Sequence, residues 1–345
     1  MGNPLQVRVW TLDTATKGVL VDMAATVQDT TSQLIKDFRL TPEALSKRDW
    51  KLYGFLGTEQ SAYLRFNGAV GTLLLERDNI CDIMAKFELV TPPKSKEALH
   101  FVFQESMSLN PQNELSDPIA NHLLCHQAIA LVNSGKHPVT EGEAAYLSAL
   151  QYFIQVSRTV KDRGRASMAT KNNEFMQAVR FLPPKSETEW LLAIFNEFED
   201  LDKNMSVQVA EELYLATVRR WKYYGSTIFF CENKQYPGTN AIGVSREGLI
   251  ILRLPQKEPL AIATFKAISN WSSAKNDALG VVAGSLMNPQ RLVFNTPHAQ
   301  QVVQALEKMV EKLVQGRRKE EESHRPNYMP CATFRSTLLT PKKPF

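Results

Sequence analysis

The sequence predicts an α+β protein of three unlike units in series, followed by a basic tail. Three observations carry this expectation. Apolar residues recur at a period of two up to about residue 95, at helical spacings from 96 to 219, and at a period of two again from 220. A strongly amphipathic helix then closes the third stretch near Gly316. Charge divides at the same places. Residues 1–95 hold 11 basic and 11 acidic side chains, 96–219 hold 11 and 16, 220–316 hold 11 and 6, and 317–345 hold 7 and 3. The expected boundaries are therefore 1–95, 96–219 and 220–316, with a mobile tail over 317–345.

In the first unit, Gln6-Val7-Arg8-Val9-Trp10 alternates polar and apolar residues. Asp13 to Gly18 reads as a turn and Val19-Leu20-Val21 as the return strand of a hairpin. Asp29-Thr30-Thr31-Ser32 offers caps to a helix over about Gln33 to Leu40. Trp50 to Leu56, Ala62 to Phe66 and Leu73 to Leu75 are further strand candidates, followed by a short helix around Ile80 to Phe87. This order of elements is that of a ubiquitin-like β-grasp.

The second unit changes period. Ile119, Leu123, Leu124, Ala128, Ile129 and Val132 form an apolar stripe on a helix from Pro118 to Ser134. Thr140 to Glu143 caps a second helix through Ile154, Ser186 to Glu189 opens a third with a capping-box pattern, and Ser206 to Val218 is a fourth. Arg158 to Asn173 reads as an exposed loop or a frayed helix end. The third unit returns to strands at about ten-residue spacing: 225–231, 241–244, 249–252, 261–265, 268–271, 278–283 and 291–294. A helix from about Pro297 to Gly316 carries Val302, Leu306, Met309, Val310 and Leu313 on one stripe. Seven short strands sealed by one helix is a pleckstrin-homology or phosphotyrosine-binding (PH/PTB) architecture.

Composition sets the remaining limits. The chain has 345 residues, 43% hydrophobic and 22% charged, which is ordinary for a soluble globular protein of two or three domains. No window of 18 apolar residues predicts a transmembrane helix, and no secretory signal is visible. Gln6 stands where a myristoylation signal wants Ser or Thr. Cys81, Cys125, Cys231 and Cys331 form no CxxC pair and read as reduced thiols of a cytosolic protein.

Local sequence points further than element order. Leu75-Glu76-Arg77-Asp78-Asn79-Ile80 through Glu88, Leu99-His100-Phe101-Val102-Phe103 followed by Asn110-Pro111, and Ser134-Gly135-Lys136-His137-Pro138 with Ala145-Tyr146-Leu147 resemble the first two lobes of a FERM domain. In this resemblance Leu99 to Phe103 leads into the second lobe. Arg220-Trp221-Lys222-Tyr223-Tyr224-Gly225-Ser226 and Ala267-Ile268-Ser269-Asn270-Trp271-Ser272-Ser273 are similar to segments of the third lobe in unconventional myosin tails, with a looser likeness in talin heads. The resemblance implies a three-lobed clover: β-grasp, acyl-CoA-binding-protein-like helical bundle and PH/PTB-like barrel. It also implies cargo or adhesion-receptor binding through the third lobe. The expected partners are cytoplasmic tail peptides of membrane proteins, anionic phospholipid including phosphoinositides, and the actin cytoskeleton. The expected location is cytoplasmic, peripheral at the inner face of the plasma membrane. Two alternatives stay open: a regulatory FERM region of a larger motor or signalling enzyme, and a protein-only scaffold without lipid binding.

No GxSxG, P-loop or GxGxxG is present, so neither catalysis nor a cofactor is expected. His122 and His126 stand one helical turn apart, as in helical zinc sites. With no HExxH and no third ligand signposted, they read as helix surface or satisfied partial burial. Glu197, Glu199, Asp200 and Asp202 read as a solvated acidic face rather than a calcium loop. Lys222, Lys234, Arg253, Lys257, Lys266 and Lys275 are the candidate lipid contacts of the third unit, against an ordinary soluble surface as the other reading. Without interleaved aromatics they do not suggest nucleic acid.

A barrel sealed by a helix leaves a groove where an extended peptide adds as a strand. The candidate lining is Asp277, Leu279 and Val281 on one wall and Val303 and Leu306 on the helix, with Trp271 just before. Trp271, Val303 and Leu306 also fit pure core positions. The tail's Ser336-Thr337 and Thr340-Pro341, among basic residues, read as either phosphorylation sites or an inert linker.

Overall fold

The computed structural model describes residues 4–57, 72–90, 98–106, 110–156, 176, 178–182, 185–238, 240–254, 257–274, 277–285 and 287–323. The strand expected at 62–66, the loop at 158–173, the tail sites beyond 323 and Lys275 lie outside these residues.

The first lobe is a five-stranded sheet crossed by a helix. Its strands are β1 (Leu5–Trp10), β2 (Thr16–Val21), β3 (Trp50–Gly57), β4 (Thr72–Leu73) and β5 (Ala98–Glu105), in spatial order β2-β1-β5-β3-β4. β5 runs parallel to β1 and antiparallel to β3, filling the centre of the sheet. The boundary expected at residue 95 therefore moves. Leu99 to Phe103 completes the first lobe instead of leading into the second, because only this strand satisfies the inner edges of β1 and β3. Phe103 stacks between Phe38 and Trp50 at centroid distances of 5.4 and 5.5 Å, tying sheet to helix.

That helix, α1 (Val27–Phe38), begins earlier than its Asp29–Ser32 cap signal suggests. Thr26 is the N-cap. Its hydroxyl accepts from the Asp29 amide, while the Asp29 carboxylate accepts from the Thr26 amide at 2.9 Å. An aspartate at the third helical position thus does the work usually given to Glu or Gln. α2 (Pro42–Lys47) was not foreseen; Thr41 caps it and Pro42 sits at its first turn. α3 (Ile80–Val90) closes the lobe.

The second lobe packs α4 (Pro118–Asn133), α5 (Glu141–Val156), α6 (Glu187–Asp200) and α7 (Val207–Arg219). The middle of the bundle is α5, whose Leu147, Leu150, Tyr152 and Phe153 are fully buried against α6 and α7. Ser186 and Glu189 form the expected capping box.

The third lobe is a seven-stranded antiparallel sheet: β6 (Thr227–Asn233), β7 (Asn240–Val244), β8 (Gly248–Arg253), β9 (Glu258–Thr264), β10 (Ile268–Ala274), β11 (Ala278–Ser285) and β12 (Asn288–Asn295). Its spatial order is β10-β11-β12-β6-β7-β8-β9, so β10 and β9 are the edges. The last helix, α8 (Ala299–Ser323), lays Val302, Leu306 and Met309 on Leu279, Val281 and Phe294 to seal one face. It continues past Gly316, so the basic run Arg317-Arg318-Lys319 is helical, not the start of a loose tail.

The three lobes share one apolar interior. Residues of β6–β8 alternate: Phe229, Ile242 and Ile251 face α8, while Ile228, Ala241, Ile250 and Leu252 face outward into the core that runs through the bundle and first lobe. Gly225 holds a left-handed φ of 76° where a Cβ would overlap Pro111, so the second and third lobes meet backbone to ring there. Lys312 of α8 reaches Asp49 of the first lobe at 2.6 Å. Among the described residues no helix is long and apolar enough to cross a membrane.

Candidate functional site

β10 is one of the two edge strands of the third lobe. It pairs with β11 on one side only, in the register Trp271↔Val281 and Ser273↔Leu279. Among the described residues no strand pairs with its other side, and α8 packs against it. Ser269, Asn270, Ser272, Ser273 and Ala274 are exposed, and Trp271 is half-buried on the barrel core. An edge strand rich in serine and asparagine keeps its backbone donors and acceptors accessible without presenting an apolar ribbon to solvent.

This relocates the groove expected from the sequence. β11 is bonded to β10 and β12 along its whole length, so no strand can add to it. Leu279, Val281 and Leu306 are fully buried core residues. Asp277 is a turn residue with φ 54°, whose carbonyl accepts from the Thr296 amide at 2.7 Å. Of the six candidate residues Asp277 is exposed, and Trp271 and Val303 are half-buried on the barrel core. The strong apolar alternation in 278–283 belongs to a strand enclosed on both sides, and its polar neighbour β10 lies at the sheet edge.

The candidate lipid contacts do not form one cluster. Arg253 and Asn240 lie on one cross-strand line with Cys231, which puts Lys234 and Arg253 at one end of the sheet. Lys266 follows Thr264, which pairs with Gly248 at the opposite end of β8. Lys222, Lys234, Arg253 and Lys266 are exposed. Lys257 is not. Its side chain is 7% exposed, paired with Glu143 of α5 and held 4.3 Å above the Trp221 ring. The Trp221 indole donates to the other Glu143 oxygen at 2.7 Å. Burial lowers the Lys257 pKa, and the ion pair only partly offsets this. Lys257 is thus a clamp between second and third lobes, out of reach of a bilayer.

His137 lies beside this clamp. It is fully buried against Trp221, Tyr223 and Tyr224, with ring centroids 5.9–6.2 Å away. The Ser226 backbone beside the ring favours its charged form but does not outweigh the burial. Burial, with Lys257 and Lys136 nearby, pushes its pKa down to about 4.

Of the two readings open for His122 and His126, helix surface and satisfied partial burial, the structure shows the second. The pair sits half-buried at the seam of the first and second lobes. His122 Nδ1 lies 2.7 Å from Glu211 Oε1 on α7, and Nε2 lies 3.0 Å from Asp13 Oδ2 in the β1–β2 turn. Burial disfavours charge on the ring, but these two carboxylates outweigh it and hold the His122 pKa up at about 9. Asp13 is held well below the usual carboxylate range. Burial works against this, but hydrogen bonds from His122, Thr11 and the Ala15 amide outweigh it. Glu211 is 89 residues from His122 in the chain, so nothing near the histidines in sequence marks it. The acidic residues Glu199, Asp200 and Asp202 are exposed, with Lys203 3.6 Å from Glu199.

A β-grasp with a central parallel strand, a four-helix bundle and a helix-sealed seven-stranded sheet make up the three-lobed FERM fold. Residues 110–229 match the family model "FERM central domain", and residues 230–314 match "PTB domain (IRS-1 type)". The likeness is to the FERM regions of unconventional myosin tails, and more loosely to talin. Over 186 residues the chain is 27% identical to myosin-VIIa of Drosophila melanogaster, a match covering 50% of this chain and 8% of that protein. Over 228 residues it is 25% identical to talin-A of Dictyostelium discoideum, covering 63% of this chain and 9% of that protein. Among solved structures, the C-terminal MyTH4-FERM domain of human myosin 7b, in complex with the harmonin-a PDZ3 domain, superposes with a TM-score of 0.66 at 18% identity. That match covers 90% of this chain and 60% of the other. The chain therefore corresponds to a small part of the curated relatives it matches.

Proposed function

We propose that this chain is a non-catalytic FERM adaptor. In this reading it captures the cytoplasmic tail of a membrane protein on its third lobe and couples it to the actin cytoskeleton at the inner face of the plasma membrane. The observation that carries the reading is the one-sided pairing of β10 beside α8. An extended peptide can add there as an eighth strand, its backbone bonded to β10 and its side chains read by Trp271 and the half-buried Val303. The complex of the myosin 7b domain with a PDZ domain supports a protein partner in general terms. Exposed Lys222, Lys234, Arg253 and Lys266 would contribute about 1 kcal/mol each near an anionic leaflet, spread over two ends of the lobe.

The test is hydrogen exchange on the full chain mixed with synthetic receptor-tail peptides. A binding peptide should protect the outward amides of β10, and Val303→Glu should abolish both binding and protection. A peptide that binds without protecting β10 would remove the strand-addition reading. Pelleting with phosphoinositide vesicles at low and high salt tests the lipid half, which fails if Lys234→Glu/Arg253→Glu and Lys266→Glu both pellet like the wild type.

A second reading, a regulatory FERM region within a larger motor, is favoured by the 24% identity over 287 residues to the kinesin-like protein KIN-14I of Oryza sativa. That match covers 77% of this chain and 22% of that protein.

A further inference from the structure

We propose that His122, His126 and Glu211 bind one divalent transition-metal ion of the zinc class at the seam between the first and second lobes. The two histidines project from adjacent turns of α4, with ring centroids 4.6 Å apart. Glu211 enters from α7, its Oε1 lying 2.7 Å from His122 Nδ1 and 3.9 Å from His126 Nε2. One donor atom from each residue lies within 4.8 Å of the other two. A tetrahedral zinc ion with bonds of 2.0–2.2 Å wants its ligand atoms about 3.3 Å apart. The histidine–glutamate contact therefore opens slightly and the wider pairs close by about an ångström, a change within the reach of rotating side chains.

The surroundings suit such an ion. Asp13 Oδ2 lies 3.0 Å from His122 Nε2, the nitrogen left over once Nδ1 is a ligand. A carboxylate there fixes the tautomer and ring orientation of a ligating histidine. Asp13 is itself held by the Ala15 amide at 3.1 Å and by the Thr11 hydroxyl. Asp13 and Glu211 set two carboxylates around the His122 ring in a shielded pocket, and a divalent ion would take the place of the proton shared between His122 Nδ1 and Glu211. Arg219, on the same helix as Glu211, is directed at Asn121 Oδ1, 3.4 Å away. Two imidazoles and one carboxylate select zinc-class ions over magnesium or calcium. The ion would tie the β1–β2 turn to the bundle through His122, giving the lobe seam a metal-dependent rigidity.

The test is titration of chelator-treated full chain with Zn²⁺ by calorimetry, and with Co²⁺ by visible absorption. Circular dichroism confirms that each variant is folded. The expected result is one Zn²⁺ per chain and a ligand-field spectrum with Co²⁺, both lost in His122→Ala/His126→Ala. Glu211→Gln, which preserves shape, should weaken Zn²⁺ at least 10-fold, and Asp13→Asn roughly 10–100-fold. The proposal is overturned if the wild type shows no saturable Zn²⁺ binding, so that a proton alone bridges the cluster. It is equally overturned if wild type, Glu211→Gln and the double variant bind alike, so that other side chains hold the ion.

Discussion

Replacing His137 with phenylalanine should flatten the acid sensitivity of the protein. The ring is fully buried among Trp221, Tyr223 and Tyr224 with Lys136 and Lys257 nearby, and the Ser226 backbone does not offset this. Its pKa falls from 6.5 to about 4 on folding. Above pH 6.5 the imidazole is neutral in both states and costs nothing. Between pH 6.5 and 4 the unfolded chain binds a proton that the folded chain refuses, so stability falls as pH falls. Below about 4 both states are charged and the loss is complete. A gap of about 2.5 pH units at 1.36 kcal/mol each is worth about 3 kcal/mol. Denaturant unfolding at pH 7 and pH 4 measures it. Wild type should lose about 3 kcal/mol more than His137→Phe across that interval, while Phe preserves the edge-to-face packing at pH 7. Equal losses in the two proteins would refute the assignment of His137 as a buried neutral ring.

Other expectations follow from the same geometry. Lys257→Met removes one partner of a shielded ion pair and leaves Glu143, itself 29% exposed, beside Trp221. Solvent at Glu143 softens the penalty to about 1–3 kcal/mol in denaturant unfolding. Lys257→Met should also leave vesicle pelleting unchanged, since the ammonium faces the second lobe. Leu306→Ala opens a cavity beneath the seal of α8 and should cost about 2–5 kcal/mol by the same measurement. Thr26→Ala deletes the cap of α1 and should cost about 1 kcal/mol, with Thr26→Ser close to neutral.

Much of this fold was legible because its period changes are written in side-chain spacing. The stripe Val302, Leu306, Met309 named the sealing helix, and Ser186 with Glu189 named the start of α6. Local signals failed where a partner distant in the chain decides the outcome. Leu99 to Phe103 looks like a strand in isolation, but its place between β1 and β3 depends on hydrogen bonds to residues about 45 to 92 positions away. Lys257 looked like a surface cation because nothing nearby in sequence announces Glu143 and Trp221. Edge or centre is likewise a property of the assembled sheet. β11, with the better apolar alternation, turned out to be enclosed, while the polar Ser269–Ala274 run supplied the open side.

Because β6–β8 turn Ile228, Ala241, Ile250 and Leu252 away from α8, the third lobe is greasy on its back as well as inside. Severed from its neighbours it would bare that back to solvent and adhere to whatever it met. Fragments cut at the lobe borders are thus poor reporters of affinity, and any pull-down using one needs the intact trio as its reference.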